Sequence, residues 1–148
     1  MRFLIIGDLH GQKPVIHFTQ FDAIIAPGDF CSDALRTVMF QALRKNLKNP
    51  NTNVRFLTHN VPFNTPIDEI TDKNSPRVGY HFGSLLAREL IEKHQPLVCI
   101  GGHMHEHFTS CRIGKTTAIN AGFGSFVNVL LELQSNTIQK LEFHQKKS

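Results

Sequence analysis

Four short segments carry most of the side chains able to do chemistry. Asp8-Leu9-His10 and Gly102-His103-Met104-His105 each place two potential metal ligands two residues apart. Gly28-Asp29 adds a lone carboxylate, and His59-Asn60 a further imidazole. Imidazole is the commonest protein metal ligand. Mixed imidazole and carboxylate sets suit Zn, Fe, Mn or Ni, and ligand type alone does not choose among them. The set Asp8, His10, Asp29, His59, His103 and His105 therefore suits one or two divalent transition-metal ions. Asp-x-His and His-x-His pairs in turns can each straddle two ions, and a solitary carboxylate such as Asp29 can bridge them through its two oxygens.

Each fragment alone has an ordinary reading. Asp8-x-His10 could cap a turn, Gly28-Asp29 could be a plain turn, and the His103, His105, His107 group could be a solvated hairpin. Their placement argues otherwise, because each follows a short apolar run. Phe3 to Ile6, Asp22 to Ala26, Val54 to Thr58 and Pro96 to Ile100 read as buried strands stopped by turn residues. In α/β sheets the loops at the carboxyl ends of strands converge on the ligand. Four strand ends would thus aim two carboxylates and four imidazoles at one place.

Helical patterns lie between the strands. Ser32-Asp33 could cap a helix carrying Leu35, Val38, Met39, Ala42, Leu43 and Leu47 on one face, ending before Pro50. Ser84 could open a second helix, with Leu85, Leu86, Leu90 and Ile91 inward and Pro96 as its stop. Residues 60–80 read as a long loop rich in Pro, Asn, Asp and Gly, of the kind that is functional or disordered. Lys115 to Asn120, Phe126 to Leu133 and Lys140 to Phe143 alternate and read as an antiparallel meander. Residues 145–148 read as a frayed tail.

Composition narrows the class. The chain has 148 residues, 41% hydrophobic and 19% charged, which fits a single globular domain over 1–148 rather than a disordered tail. No apolar run reaches the roughly 18–20 residues of a membrane span, and the N-terminal apolar stretch is too short for a signal peptide. Cys31, Cys99 and Cys111 form no Cys-x-x-Cys pair, which argues against a disulfide framework or a cysteine zinc site. A soluble, cytoplasmic protein is expected. The net charge of +4 and pI near 9.2 hint at phosphate-bearing partners and leave non-specific nucleic-acid binding open.

The order Asp-x-His, Gly-Asp, His after a strand, then Gly-His-x-His resembles the calcineurin-like metallophosphoesterases. Leu57-Thr58-His59-Asn60-Val61-Pro62 is similar to that family's His-x-Pro-Pro region, and Ile119-Asn120-Ala121-Gly122 to its closing Asn-Pro-Gly segment. The resemblance covers nearly the whole chain. It implies an α/β (α+β) fold, a two-layer β-sandwich flanked by helices, with two metals at the strand ends. It implies that Asp8, His10 and His105 hold the first metal, that Asp29 bridges, and that His59 and His103 hold the second. Activity would be hydrolysis of a phosphodiester or phosphomonoester by a metal-bound water.

One family motif is missing. Members carry Gly-Asn-His-Asp/Glu between the Gly-Asp and the next histidine, supplying a ligand and a proton donor. Residues 30–53 contain no such motif, so the sandwich is expected to be shortened by one central segment. Asn51, Asn53 or Asn60 are candidate replacement ligands. His81 is the candidate replacement acid, although its loop position reads as surface. The loss suits phosphodiesters slightly better than monoesters. It also opens two further readings: a scaffold that keeps the fold without the chemistry, and an enzyme using only the first metal. A shortened sheet could expose an edge that pairs with a second chain.

Other motifs fail. Gly114-Lys115-Thr116 would need a glycine at position 109 to close a P-loop, and Thr109 stands there. Gly122-x-Gly124 lacks the third glycine of a dinucleotide fingerprint. The phenylalanines read as core, and His17, His94 and His144 as surface; His107, just beyond the metal loop, reads as surface or as a support to the ligands beside it.

Overall fold

The computed structural model describes residues 1–8, 10, 15–27 and 55–145. Asp29, Cys31, the helix expected from Ser32 and the asparagines at 51 and 53 lie outside the described residues.

The expected apolar runs form β1 (Arg2–Ile6), β2 (Ala23–Ile25), β3 (Arg55–Asn60) and β4 (Val98–Gly102). They are followed by β5 (Ser110–Ile113), β6 (Thr116–Asn120), β7 (Val127–Gln134) and β8 (Thr137–Gln145), with helix α1 (Leu85–His94) between β3 and β4. Among the described residues these make two four-stranded sheets, ordered β2-β1-β7-β8 and β3-β4-β6-β5. Both are mixed. β1 pairs parallel with β2 and antiparallel with β7, while β4 pairs parallel with β3 and β6.

Strand alternation sorts the side chains into layers. Phe3, Ile5, Val129 and Leu131 of the first sheet meet Val98, Ile100 and Ile119 of the second in one buried cluster. On the outer face of β1, Leu4 and Ile6 pack beneath Phe18 and Phe21. On the outer face of the second sheet, Phe56, Cys99 and Ala118 meet Ala87 and Ile91 of α1, together with Val61 and Ile67. The architecture is a mixed α/β, two-layer sandwich. Burial pushes the Cys99 thiol up, with Cys111 adding to the shift, so Cys99 acts as an apolar filler. No helix among the described residues is long and apolar enough to cross a membrane.

Two local expectations change. The C-terminal strands are not one meander. β7 and β8 form an antiparallel hairpin in the first sheet, whereas β6 lies in the second sheet between β4 and β5. Pairing is a long-range choice that alternation does not encode. Helix α1 does start at Ser84, whose side chain accepts from the Ala87 N–H. However, Leu85 and Leu86 are exposed, and the buried face is Ala87 and Ile91 with Leu90 beside them. Ala87 and Ile91, four residues apart, share the face that packs on Phe56, Cys99 and Ala118.

Candidate metal centre

β1, β3 and β4 end side by side, and their carboxyl ends carry the ligand-type residues. Asp8 follows β1. The sheet draws in this end through hydrogen bonds from the Asp8 N–H to Gly122 O (3.0 Å) and from the Gly124 N–H to Asp8 O (2.9 Å). Gly7 permits this approach, since a Cβ there would stand 2.4 Å from Ala121 O. The Asp8 carboxylate is completely buried.

His59 reaches the site through a bulge. Leu57 pairs with Ile100 and Asn60 with Gly102, so Thr58 and His59 together oppose Gly101. A bulge bends the strand and re-aims its side chains, and bulges are over-represented beside active sites. His59 thus belongs to the irregular end of β3 rather than to the turn beyond it.

His103 has φ 68° and His10 has φ 44°, left-handed conformations that cost a side-chain-bearing residue energy and cluster at functional sites. The Met104 N–H donates to Gly102 O across His103, the pattern of a γ-turn. Asn120, fully buried at the end of β6, donates to Met104 O (2.8 Å) and accepts from the Gly122 N–H (2.9 Å). It ties the histidine loop to the adjacent strand. The sequence signal for this role was the Asn120-Ala121-Gly122 segment.

The ligand atoms form two triads that share Asp8. Those of Asp8, His59 and His103 lie within 4.8 Å of one another, as do those of Asp8, His10 and His105. His10 Nε2 is 3.1 Å from Asp8 Oδ2, and His105 Nε2 is 3.9 Å from the same oxygen. His59 Nε2 stands 3.1 Å from His103 Nδ1. Two nitrogens bound about 2.0–2.1 Å from a tetrahedral ion would stand roughly 3.3–3.4 Å apart, so this spacing fits a shared cation. Phe123 stacks on His105 at 3.8 Å between ring centroids and fixes that ring's plane. Burial pushes His105 below the usual imidazole range, against the pull of the Asp8 charge, which favours a lone pair free for a cation. The donor set therefore fits a divalent transition metal. Asp8 belongs to both triads, a shared position that the family resemblance gave to Asp29.

The 61–84 loop packs alongside. Asp68 is fully buried and accepts from the N–H groups of Asn64, Thr65 and Gly83, from Thr65 Oγ1 and from His81 Nδ1 (2.8 Å). Burial works against its charge, but the hydrogen bonds from Thr65, His81 and Gly83 outweigh this and hold the carboxyl below its usual range. Glu106 accepts from the Thr71 and Asp72 N–H groups and from Thr71 Oγ1, and His107 Nε2 donates to Glu69 O (2.6 Å). His107 and His81, for each of which the surface was one of two readings, are both half-buried loop anchors. Asn60 is turned to the loop, with its amide donating to Phe82 O (2.8 Å). Sequence reasoning missed both: Glu106 acts on backbone far away in the chain, and Asp68 joins its near neighbours Asn64 and Thr65 to the distant His81 and Gly83.

No family model and no curated protein matches the chain. Among solved structures, one crystal structure aligns with 97% of this chain at 18% identity and a TM-score of 0.53. The chain spans 49% of that structure's length, and the likeness is one of fold. A solution NMR structure of a Thermotoga maritima protein aligns over 98% of this chain and 99% of its own (15% identity, TM-score 0.43). Vacuolar protein sorting 29 from Cryptosporidium parvum aligns over 98% of each chain (14% identity, TM-score 0.39).

Proposed function

We propose that this chain is a metal-dependent phosphoesterase, acting on phosphodiesters in preference to monoesters. The observation that carries this reading is the pair of triads sharing the buried Asp8 at the strand ends. Asp8, His10 and His105 would hold one divalent ion and Asp8, His59 and His103 a second, with Asp29 as a further bridging ligand. Ions bound there would supply activation of water and neutralisation of phosphate charge. The protein's own part is to hold the ligands in position before substrate arrives. The buried Asp8 provides a fixed negative charge. Phe123 sets the His105 ring, and Asn120 pins the backbone of the His103–His105 turn. The net charge of +4 favours encounter with anionic esters.

The test is hydrolysis of bis(p-nitrophenyl) phosphate by the purified chain with Mn²⁺ and with chelator, alongside metal counting. Metal-dependent turnover that disappears in Asp8→Asn and Asp29→Asn is expected. Retained turnover in either variant overturns the corresponding ligand assignment. Metal binding without turnover would favour the scaffold reading, and one ion with turnover the mononuclear one.

A further inference from the structure

Hydrolysis of a phosphate ester leaves an oxygen that needs a proton, and the metal triads offer none. We propose that His81 donates that proton and that Asp68 is its positioning residue; this rests on the phosphoesterase reading above. The inference starts from an imbalance. Asp68 is a completely buried carboxylate that five hydrogen bonds hold in place, and one of them comes from a histidine. An ionised carboxylate only accepts, so His81 Nδ1 must carry a proton. That bond fixes the ring's tautomer and orientation and leaves Nε2 as the working nitrogen. No hydrogen bond occupies Nε2 among the described residues, and the side chain is only 26% exposed.

His81 is also bracketed by the metal-ligand segments. Phe82, the next residue, has its carbonyl held by Asn60, the residue after His59. On the other side, Glu69 bridges to His81 while its carbonyl accepts from His107, two residues after His105. The loop that carries His81 is thereby tied to the ends of both β3 and the His103–His105 turn. Asn60, Glu69 and His107 are each half-buried.

The step balances. Water oxygen forms the new bond to phosphorus and releases a proton to solvent. The bond from phosphorus to the leaving oxygen breaks with its electron pair on that oxygen, which takes the proton from His81 Nε2. The ring is left as the Nδ1–H tautomer that Asp68 holds, and solvent reprotonates Nε2.

A leaving-group series on the Mn²⁺-loaded full chain tests this. His81→Gln is expected to slow methyl phenyl phosphate about 100-fold more than methyl p-nitrophenyl phosphate, within the usual range for a lost general acid. Equal losses on both esters would overturn the proton-donor role and leave the phosphoesterase reading standing. Absence of metal-dependent turnover in the unsubstituted chain would overturn both. A second readout does not depend on turnover. In ring-nitrogen NMR of the Zn²⁺-loaded chain, added inorganic phosphate should shift His81 Nε2 while Nδ1 keeps its proton. An unresponsive Nε2 overturns the proposal. Asp68→Asn, where it folds, should mix the His81 tautomers and reproduce the leaving-group selectivity. A ring that keeps a single Nδ1–H tautomer in that variant removes Asp68 as its positioning residue.

Discussion

At the residue scale, the charged groups that matter most are the buried ones. Asp8 and Asp68 are both completely buried, and each is compensated differently. Asp8 faces imidazoles, a set that suits a cation. Asp68 faces backbone N–H groups and one imidazole, a set that stabilises the carboxylate itself. The folded-state pKa of Asp68 therefore lies below the ordinary 3.8. A depressed acid contributes stability that is fully present above the unfolded value and is lost as pH falls through the folded one. Asp68→Asn should accordingly lower the melting temperature at pH 6, and the gap to the unsubstituted chain should narrow below about pH 3.8. Thermal melts of both chains at pH 6 and pH 3 check this, and a gap independent of pH would contradict it. Aspartates and histidines with metal-ligand spacing were legible in the sequence because their spacing repeats a chemical need. Asp68 was not, because its partners at 64, 65, 81 and 83 are brought together only by the folded loop.

At the element scale, apolar runs announced β1 to β4, but burial on both faces explains only the central β1 and β4; β2 and β3 are edges of the described sheets, and Ile24 of β2 is exposed. β5 was missed, as Ser110-Cys111-Arg112-Ile113 is half-polar and lies at the sheet edge. The crossing of the chain from β6 in one sheet to β7 in the other was equally hidden, because both strands alternate in the same way. The junction of β1 with the β6 exit is where element packing and the site meet. Gly7 sits there with Ala121 O and Gly122 O too close for any Cβ. Gly7→Ala must push β1 away from that backbone, carrying Asp8 with it. We expect a loss of about 1–3 kcal/mol, the usual cost of overpacking, with weaker metal binding in the fraction that folds. Denaturant unfolding and equilibrium dialysis with Mn²⁺ measure the two effects. Unchanged stability together with unchanged binding would show that the strand end tolerates displacement.

At the scale of the whole molecule, the two sheets are joined by their core and by the candidate ligands. Asp8 extends from the first sheet, whereas His59, His103 and His105 extend from the second. A cation held by such a set links the layers at one end of the sandwich, opposing their separation on unfolding. Binding to the folded state alone adds RT ln(1 + [L]/Kd), about 2.7 kcal/mol at a hundredfold excess over Kd. For a chain of this size that corresponds to a rise in Tm of about 5–10 °C. The rise should saturate with Mn²⁺ or Zn²⁺, reverse with chelator and vanish in Asp8→Asn, the residue common to both triads. His10→Ala should spare part of it, because only one triad uses that ring. Calorimetric melts across a metal titration distinguish the cases. A rise that survives Asp8→Asn would mean that the cation binds elsewhere, and the shared carboxylate would no longer explain how three imidazoles from the second sheet converge with His10 on the end of the first.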